Sequence, residues 1–398
     1  MKTSENAFIY AEEELLRTNI KQSKLTIGIP AENTDIESRL ALTPEGVSIV
    51  VEEGHKVLVQ RGAGLPMLYT DLQYSEAGAT IVDTAKEAFD ANIVLKITPP
   101  TLAELEMMQK YSSVFSTLQL SNLSKASIEM MMKKGMNAFA YELIKDEQKA
   151  FPVISSVSEI EGNTAITLAA ELLSNARGGK GLMLGGVAGI SPTEVLIIGA
   201  GIAGTAAART AISLGAQVKI FDHNITQLRK VQQYLGQHVF TSVIHPVVLF
   251  KALQSADVVI GNLRYINGSE RFMVSEELVK TMKTGAVIID LSVDQGGCFE
   301  TSECRTMKNP SYTRHGVVHY CVPNLSARVA RTTSMALSNI FAPMLLKIAT
   351  SGSVNAAVTE SAGFRNGAYV FSGILVNRLV GNYYGTSAND IGLLLARF

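Results

Sequence analysis

The chain has 398 residues, 47% of them hydrophobic and 18% charged, with a net charge of −1. That length and apolar content suffice for two domains of ordinary size with buried cores. The near-zero charge gives no electrostatic case for a nucleic-acid or membrane partner, no uncharged apolar run reaches the ~18 residues of a membrane span, and the charged, amphipathic start MKTSENAFIYAEEELLRTNIKQSK lacks the apolar core of a secretory signal.

Residues 1 to about 23 read as an N-terminal helix. From Lys24 a βα alternation begins. Strand Leu25 to Ile29 leads into a polar loop that holds Arg39. Thr43-Pro44 supplies an N-cap and a first helical residue, and the helix runs to Gly54. Strands Lys56 to Gln60 and Ala79 to Val82 follow, then helix Thr84 to Ala91 and strand Ile93 to Ile97. Helix Thr101 to Met108, strand Ser113 to Leu120, helix Leu123 to Lys134 and strand Asn137 to Leu143 complete the unit. Strands alternating with helices imply a parallel, doubly wound sheet. This unit carries no phosphate-binding glycine fingerprint, so it reads as a substrate or partner domain. Ser158 to Asn175 is a long connecting helix, and the glycine-rich run Gly178 to Ile190 reads as a flexible loop feeding the next strand.

The most informative stretch is Glu194 to Asp222, EVLIIGAGIAGTAAARTAISLGAQVKIFD. It reads strand, Gly199-x-Gly201-x-x-Gly204, helix, strand, acid, which is the dinucleotide-binding fingerprint in its required context. Gly199 allows the tight turn, Gly201 lets the backbone approach a pyrophosphate, and Gly204 lets helix and strand pack closely. The helix N-terminus offers unpaired N–H groups to the phosphates. Asp222 ends the second strand, where its carboxylate can accept hydrogen bonds from a ribose and would repel a 2′-phosphate. His223 and Asn224 bring no arginine beside it, so NAD is expected over NADP.

Beyond Asp222, helix Ile225 to Leu235 presents Ile225, Leu228, Val231 and Leu235 on one face. Strands are expected at Asp257 to Gly261, Ala286 to Ser292 and Gly316 to Val322. Thr332 to Ala349 reads as a long apolar helix interrupted at Pro343 that leads back to the first domain. The expected organisation is therefore α/β with two Rossmann-like doubly wound domains and a cleft between them: 1–152 and a returning 331–398 segment forming the substrate domain, 153–330 the NAD domain.

In open α/β sheets ligands sit outside the carboxyl ends of the strands. Four polar residues fall there: Arg39, Lys96, Gln119 and Asp294. A guanidinium suits bidentate capture of a carboxylate, and a lysine beside a carbonyl oxygen can polarise it. Asp294 could orient a neighbour or hold a proton. For each residue taken singly a structural ion pair is the stronger reading; their shared location makes the case. Three cysteines with no Cys-x-x-Cys, and six histidines with no metal-ligand spacing, leave a disulfide framework or a metal site unexpected and fit a reducing cytoplasm. His319 could line the cleft or be a satisfied core histidine.

Several segments together resemble the alanine dehydrogenase family, which is related to the alpha subunit of the proton-translocating transhydrogenase. They are ESRLALTPEGV with Arg39, IVLKITPP with Lys96, SEIEGN beginning at Ser158, the fingerprint through Asp222, IIDLSVDQGGCFETS with Asp294, and GVVHYCVPN ending at Asn324. The resemblance implies that Arg39 binds a pyruvate carboxylate, that Lys96 bonds the substrate oxygen, and that Asn324 adds to the substrate set. It places Asp294 in the catalytic cleft, and Asp222 and Ser158 with the cofactor. It also implies two Rossmann-like domains and a homo-oligomer, commonly a hexamer. The family typically has a catalytic histidine where this chain has Gln119, and an amide cannot exchange a proton near neutral pH. The implied reaction is NAD-dependent oxidative deamination of L-alanine to pyruvate and ammonium. A related amino-acid or opine oxidoreductase, and a catalytically weak NAD-binding regulatory homologue, are the alternatives.

Overall fold

A computed structural model describes residues 24–263 and 273–396. The helix expected over residues 1 to about 23 lies outside them. The first unit contains strands β1 (Thr26–Ile29), β2 (Lys56–Gln60), β3 (Thr80–Val82), β4 (Ile93–Leu95), β5 (Ser113–Ser116) and β6 (Asn137–Ala140). The second contains β7 (Glu194–Ile198), β8 (Gln217–Asp222), β9 (Phe240–Val243), β10 (Val258–Gly261), β11 (Val287–Asp290), β12 (Ser311–Arg314) and β13 (Val317–Tyr320). Two more strands, β14 (Ala368–Phe371) and β15 (Ile374–Leu375), come from the C-terminal segment and join the first sheet.

The sheet orders are β15-β14-β6-β5-β4-β1-β2-β3 and β12-β13-β11-β10-β7-β8-β9. All pairings are parallel except those of β12, β14 and β15. Helices cover both faces, so the central strands IVL of β4, SVFS of β5, VVIG of β10 and VIID of β11 are buried throughout, as parallel sheets require. Three short helices of the first unit begin at reciprocal caps, Thr70 with Gln73, Thr84 with Glu87 and Thr101 with Glu104. Each pair satisfies two backbone donors that a helix start leaves open.

Two long helices tie the units together. Pro152–Leu173 packs against Ile202–Ser213 so closely that a Cβ on Gly162 would lie 2.1 Å from the Ala203 carbonyl oxygen. Ala330–Thr350 returns to the first unit and buries Leu337, Phe341, Leu345 and Ile348 in one core with Ile27, Ile29, Leu95 and Phe115. The interruption expected at Pro343 is absent, and the helix runs straight through it. Pro343 and Asn339 both lie on its exposed side, where water can satisfy the carbonyl that proline leaves without a donor. Several strands are shorter than expected: β4 stops at Leu95, β11 at Asp290 and β13 at Tyr320, β5 stops at Ser116, and β6 gives way at Tyr141 to a 3₁₀ turn. Gln119 therefore lies in a loop, not on a strand.

Candidate active site

In the second unit β7, β8 and β10 are in register, with Ile198 opposite Phe221 on one side and Gly261 on the other. Their carboxyl ends deliver Gly199, Asp222 and Asn262 to one edge. Gly199 has φ +112°, and a Cβ there would lie 2.3 Å from the Asn262 carbonyl oxygen. A Cβ on Gly204 would lie 1.9 Å from the Gly199 carbonyl oxygen. Gly201 differs: among the described residues the nearest atom to its Cβ position is Asn262 Nδ2 at 3.6 Å. Two glycines are thus demanded by the fold, and the third leaves open ground at the N-terminus of helix Ile202–Ser213. That helix has no side-chain N-cap, so its first N–H groups face the opening, a ready anion site. The residues fit a dinucleotide.

Asp222 is buried and braces the turn, its Oδ2 accepting the Ala200 N–H at 2.7 Å and its Oδ1 the Asn224 N–H at 2.7 Å. Each oxygen keeps a lone pair for a ribose hydroxyl. Ser158 is buried on the connecting helix, one turn before the Gly162 contact with Ala203, which brings it to the same helix start. Substituting Gly204 by Ala forces Gly199 to move. The expected result is loss of stability of about 1–3 kcal/mol, the range for overpacking, with dinucleotide affinity lowered at least as much, both measurable by calorimetry.

At the first sheet, Arg39 is buried in the loop after β1. It is clamped by Glu37: Nε donates to Oε1 at 2.8 Å and Nη2 to Oε2 at 2.7 Å. Its Nη1 donates to Ser326 Oγ at 2.9 Å, and Ser326 Oγ donates to Glu161 Oε1 at 3.1 Å. Asn324, with φ +65°, donates from Nδ2 to Glu37 Oε2 at 3.3 Å. Arg39 thus meets the loop after β13 and the connecting helix, at the junction of the two units. Burial alone would lower the guanidinium's proton affinity; the Glu37 contacts outweigh it and hold Arg39 above its ordinary value. Among the described residues these partners take three of five N–H groups, leaving two for a carboxylate.

Lys96 follows β4 directly and is buried. Its Nζ lies 3.0 Å from Glu104 Oε1, 3.2 Å from Glu104 Oε2 and 3.6 Å from Glu32 Oε2. Glu104 also caps its own helix through the Thr101 N–H. Glu32 accepts from Ile97 N–H and from Thr98 Oγ1, at 2.5 and 2.6 Å. Burial raises the Glu32 carboxyl above its ordinary value, and Lys96 opposes the rise. Gln119 is half-buried, its Oε1 accepting from Asn122 Nδ2 at 2.7 Å. Asp294 is exposed in the 3₁₀ turn Val293–Gln295 after β11. The acid that organises that turn is Asp290, buried and accepting from Ser292 N–H, Cys298 N–H and Ser302 Oγ. His319 is a satisfied core histidine, Nε2 paired with Thr301 Oγ1 at 2.8 Å and Nδ1 with the Val317 carbonyl at 3.0 Å.

Both units match one family. The alanine dehydrogenase/PNT N-terminal domain matches residues 28–161, and the alanine dehydrogenase/PNT C-terminal domain matches residues 165–378. The chain belongs to the alanine dehydrogenase/PNT family. The alanine dehydrogenase of Methanococcus maripaludis is 39% identical over 343 residues, 85% of this chain and 91% of that protein. The alanine dehydrogenase of Bacillus subtilis is 38% identical over 339 residues, 85% of this chain and 89% of that protein. Among solved structures, an L-alanine dehydrogenase superposes with a TM-score of 0.84 at 35% identity, covering 90% of this chain and 99% of its own. A transhydrogenase from Sinorhizobium meliloti gives 0.74 at 25% identity, covering 89% and 99%.

Within this alanine dehydrogenase/PNT chain, Glu37 and Ser326 bond Arg39, Glu32 and Glu104 pair with Lys96, Glu161 bonds Ser326 and Asn262 lies against Gly199, and the sequence alone singles out none of the six. Glu37 carried a usable signal, a glutamate two positions before the loop arginine. Among the described residues, no group of three His, Cys, Asp or Glu side chains could hold a metal ion, and no helix is long and apolar enough to cross a membrane.

Proposed function

We propose that this chain oxidises L-alanine to pyruvate and ammonium with NAD⁺ and water, reversibly. The observation that carries the proposal is the Arg39 assembly: a buried guanidinium with two donors in hand, held where the loop after β13 meets the first sheet. An α-carboxylate suits such an anchor. Gly199, Gly201, Gly204, Asp222 and Ser158 would hold the dinucleotide, and the acid at Asp222 favours NAD over NADP.

The dinucleotide, once bound by those residues, would supply the acceptor for the Cα hydride. Arg39 fixes the substrate carboxylate, and Asn324 steadies Glu37 beneath it. Lys96 stands by the developing carbonyl oxygen, giving up a Glu104 contact to do so. Gln119 donates a hydrogen bond and cannot carry a proton. Asp294, exposed to water, takes the proton lost by the attacking water and returns one to the departing amine. Position and electrostatics are the protein's share. We further propose a cytoplasmic homo-oligomer, of hexameric size.

The test is NADH formation from L-alanine at mildly alkaline pH, with NADP⁺ and other amino acids in parallel. Turnover with NAD⁺ and alanine is expected, together with the reverse reaction from pyruvate and ammonium. Gln119 favours a second reading, a catalytically silent NAD binder. NAD binding without turnover in either direction would establish that reading and end the first.

A further inference from the structure

The loop that carries Gln119 is anchored from below by a residue with no assigned part in the chemistry. Glu142 follows β6 in the 3₁₀ turn Tyr141–Leu143, and its Oε1 accepts the Leu118 N–H at 2.7 Å. That N–H is the one that would otherwise extend the β5 ladder, so this bond ends the strand and starts the loop. The Gln119 carbonyl then accepts from Asn122 and Leu123 N–H at 2.9 and 3.0 Å. Tyr384, from the C-terminal segment, holds the far side by bonding the Leu120 and Leu123 carbonyls. The second carboxyl oxygen, Glu142 Oε2, is buried and has no hydrogen-bond partner among the described residues. Leaving a charged oxygen buried without a donor is costly, so burial pushes the Glu142 carboxyl up to about 7.

We propose that Glu142 is a positioning residue for Gln119: its carboxylate, through the Leu118 N–H, holds the loop that presents the Gln119 amide, and protonation of that carboxylate loosens the hold. An ionised acceptor makes the shorter and stronger bond to a backbone N–H; a neutral carboxyl makes an ordinary one. Among the described residues, burial and backbone N–H groups set the Glu142 carboxyl. The titratable groups that face Glu142 are the phenols of Tyr141 and Tyr369, with Tyr384 beyond Tyr369. Arg39, Glu37 and Glu32 also act on Tyr141. Lys145 turns its ammonium to the Phe151 ring, 5.0 Å from the centroid.

The linkage has a definite sign. A carboxyl raised in the folded state binds its proton more tightly there than in the unfolded chain, so stability falls as pH rises from the ordinary carboxylate range to the raised value. Glu142→Gln keeps an acceptor for Leu118 and cannot ionise. It should fold, and should gain stability relative to wild type as pH is raised from about 5 to about 8.

The kinetic arm rests on the alanine reading, and the exchange arm does not. Hydrogen exchange of the Leu118 amide by local opening that leaves Glu142 buried, corrected for intrinsic rates, should become several-fold slower between pH 6 and pH 8 in the full-length wild type and show no such step in Glu142→Gln. The kcat/KM ratio of wild type to Gln119→Leu for alanine should rise over the same interval, and should be flat with pH when both carry Glu142→Gln. A Leu118 amide whose protection has no pH step, or a step that survives in Glu142→Gln, overturns the proposal. A step lost in Glu142→Gln in a protein that does not turn over alanine supports the positioning role while refuting the proposed reaction.

Discussion

Arg39→Ala will lower kcat/KM for alanine by about 10³-fold, equivalent to about 4 kcal/mol, and will destabilise the fold by a similar amount. Two separate consequences share one cause. The guanidinium is the carboxylate anchor of the proposed reaction, and it is also the counter-charge of Glu37, whose side chain is 0% exposed. Removing one member of a buried pair strands the other, which is why the cost exceeds what the pair contributes relative to an apolar replacement. Arg39→Ala combined with Glu37→Gln separates the consequences. Neutralising the stranded carboxylate should return most of the stability in urea unfolding and none of the turnover. Arg39→Lys should keep part of the stability but lose most turnover, because an ammonium cannot reproduce the two-pronged donor that meets Glu37 and a substrate together. Full turnover in Arg39→Ala would show that substrate carboxylate is held elsewhere.

The parts of this site that were legible in the chain were those where one residue answers a local demand. Gly199, Gly201 and Gly204 could be read because their spacing is a local pattern between a strand and a helix, although only the demand on Gly204 is set within five positions and that on Gly199 comes from Asn262. Asp222 could be read because a strand end places it. What escaped were partners brought together by long connections: Ser326 to Arg39 and Glu161, or Tyr384 to the Gln119 loop. The strand read through Leu120 failed for the same reason, since β5 ends where Leu118 turns to Glu142, a residue 24 positions away. The short strands FTSV of β9 and SYTR of β12 were missed because they lie at sheet edges and are partly exposed, too brief to set a period. The helix Pro246–Ser255, PVVLFKALQS, begins with an apolar run that helix and buried strand share. Pro343 reads as a break because sequence reports proline's missing donor but not that Asn339, whose carbonyl it frees, lies on the exposed side of the helix.

Lys96→Met will destabilise the protein by about 3–5 kcal/mol at neutral pH, less under acid conditions, and will reduce turnover by about 10²-fold or more. Lys96 and Glu32 are each only 3% exposed, and Glu104 is 21% exposed. Methionine fills the space of the lysine stem but leaves Glu32 with no ammonium. Glu32 is already raised by burial. Without Lys96 its proton is held more tightly still, so the window in which stability falls with rising pH widens upward. Urea unfolding at pH 5 and pH 8 should therefore show a larger loss at pH 8. Adding Glu32→Gln removes the stranded charge and should restore stability at both pH values. Turnover decides what Lys96 does. If its ammonium leaves Glu104 to meet the substrate oxygen, the double variant stays inactive, which is the expected result. Recovery of turnover together with stability would confine Lys96 to holding Glu32 and Glu104, and with them the Thr98 and Thr101 backbone that shapes the first sheet's carboxyl edge.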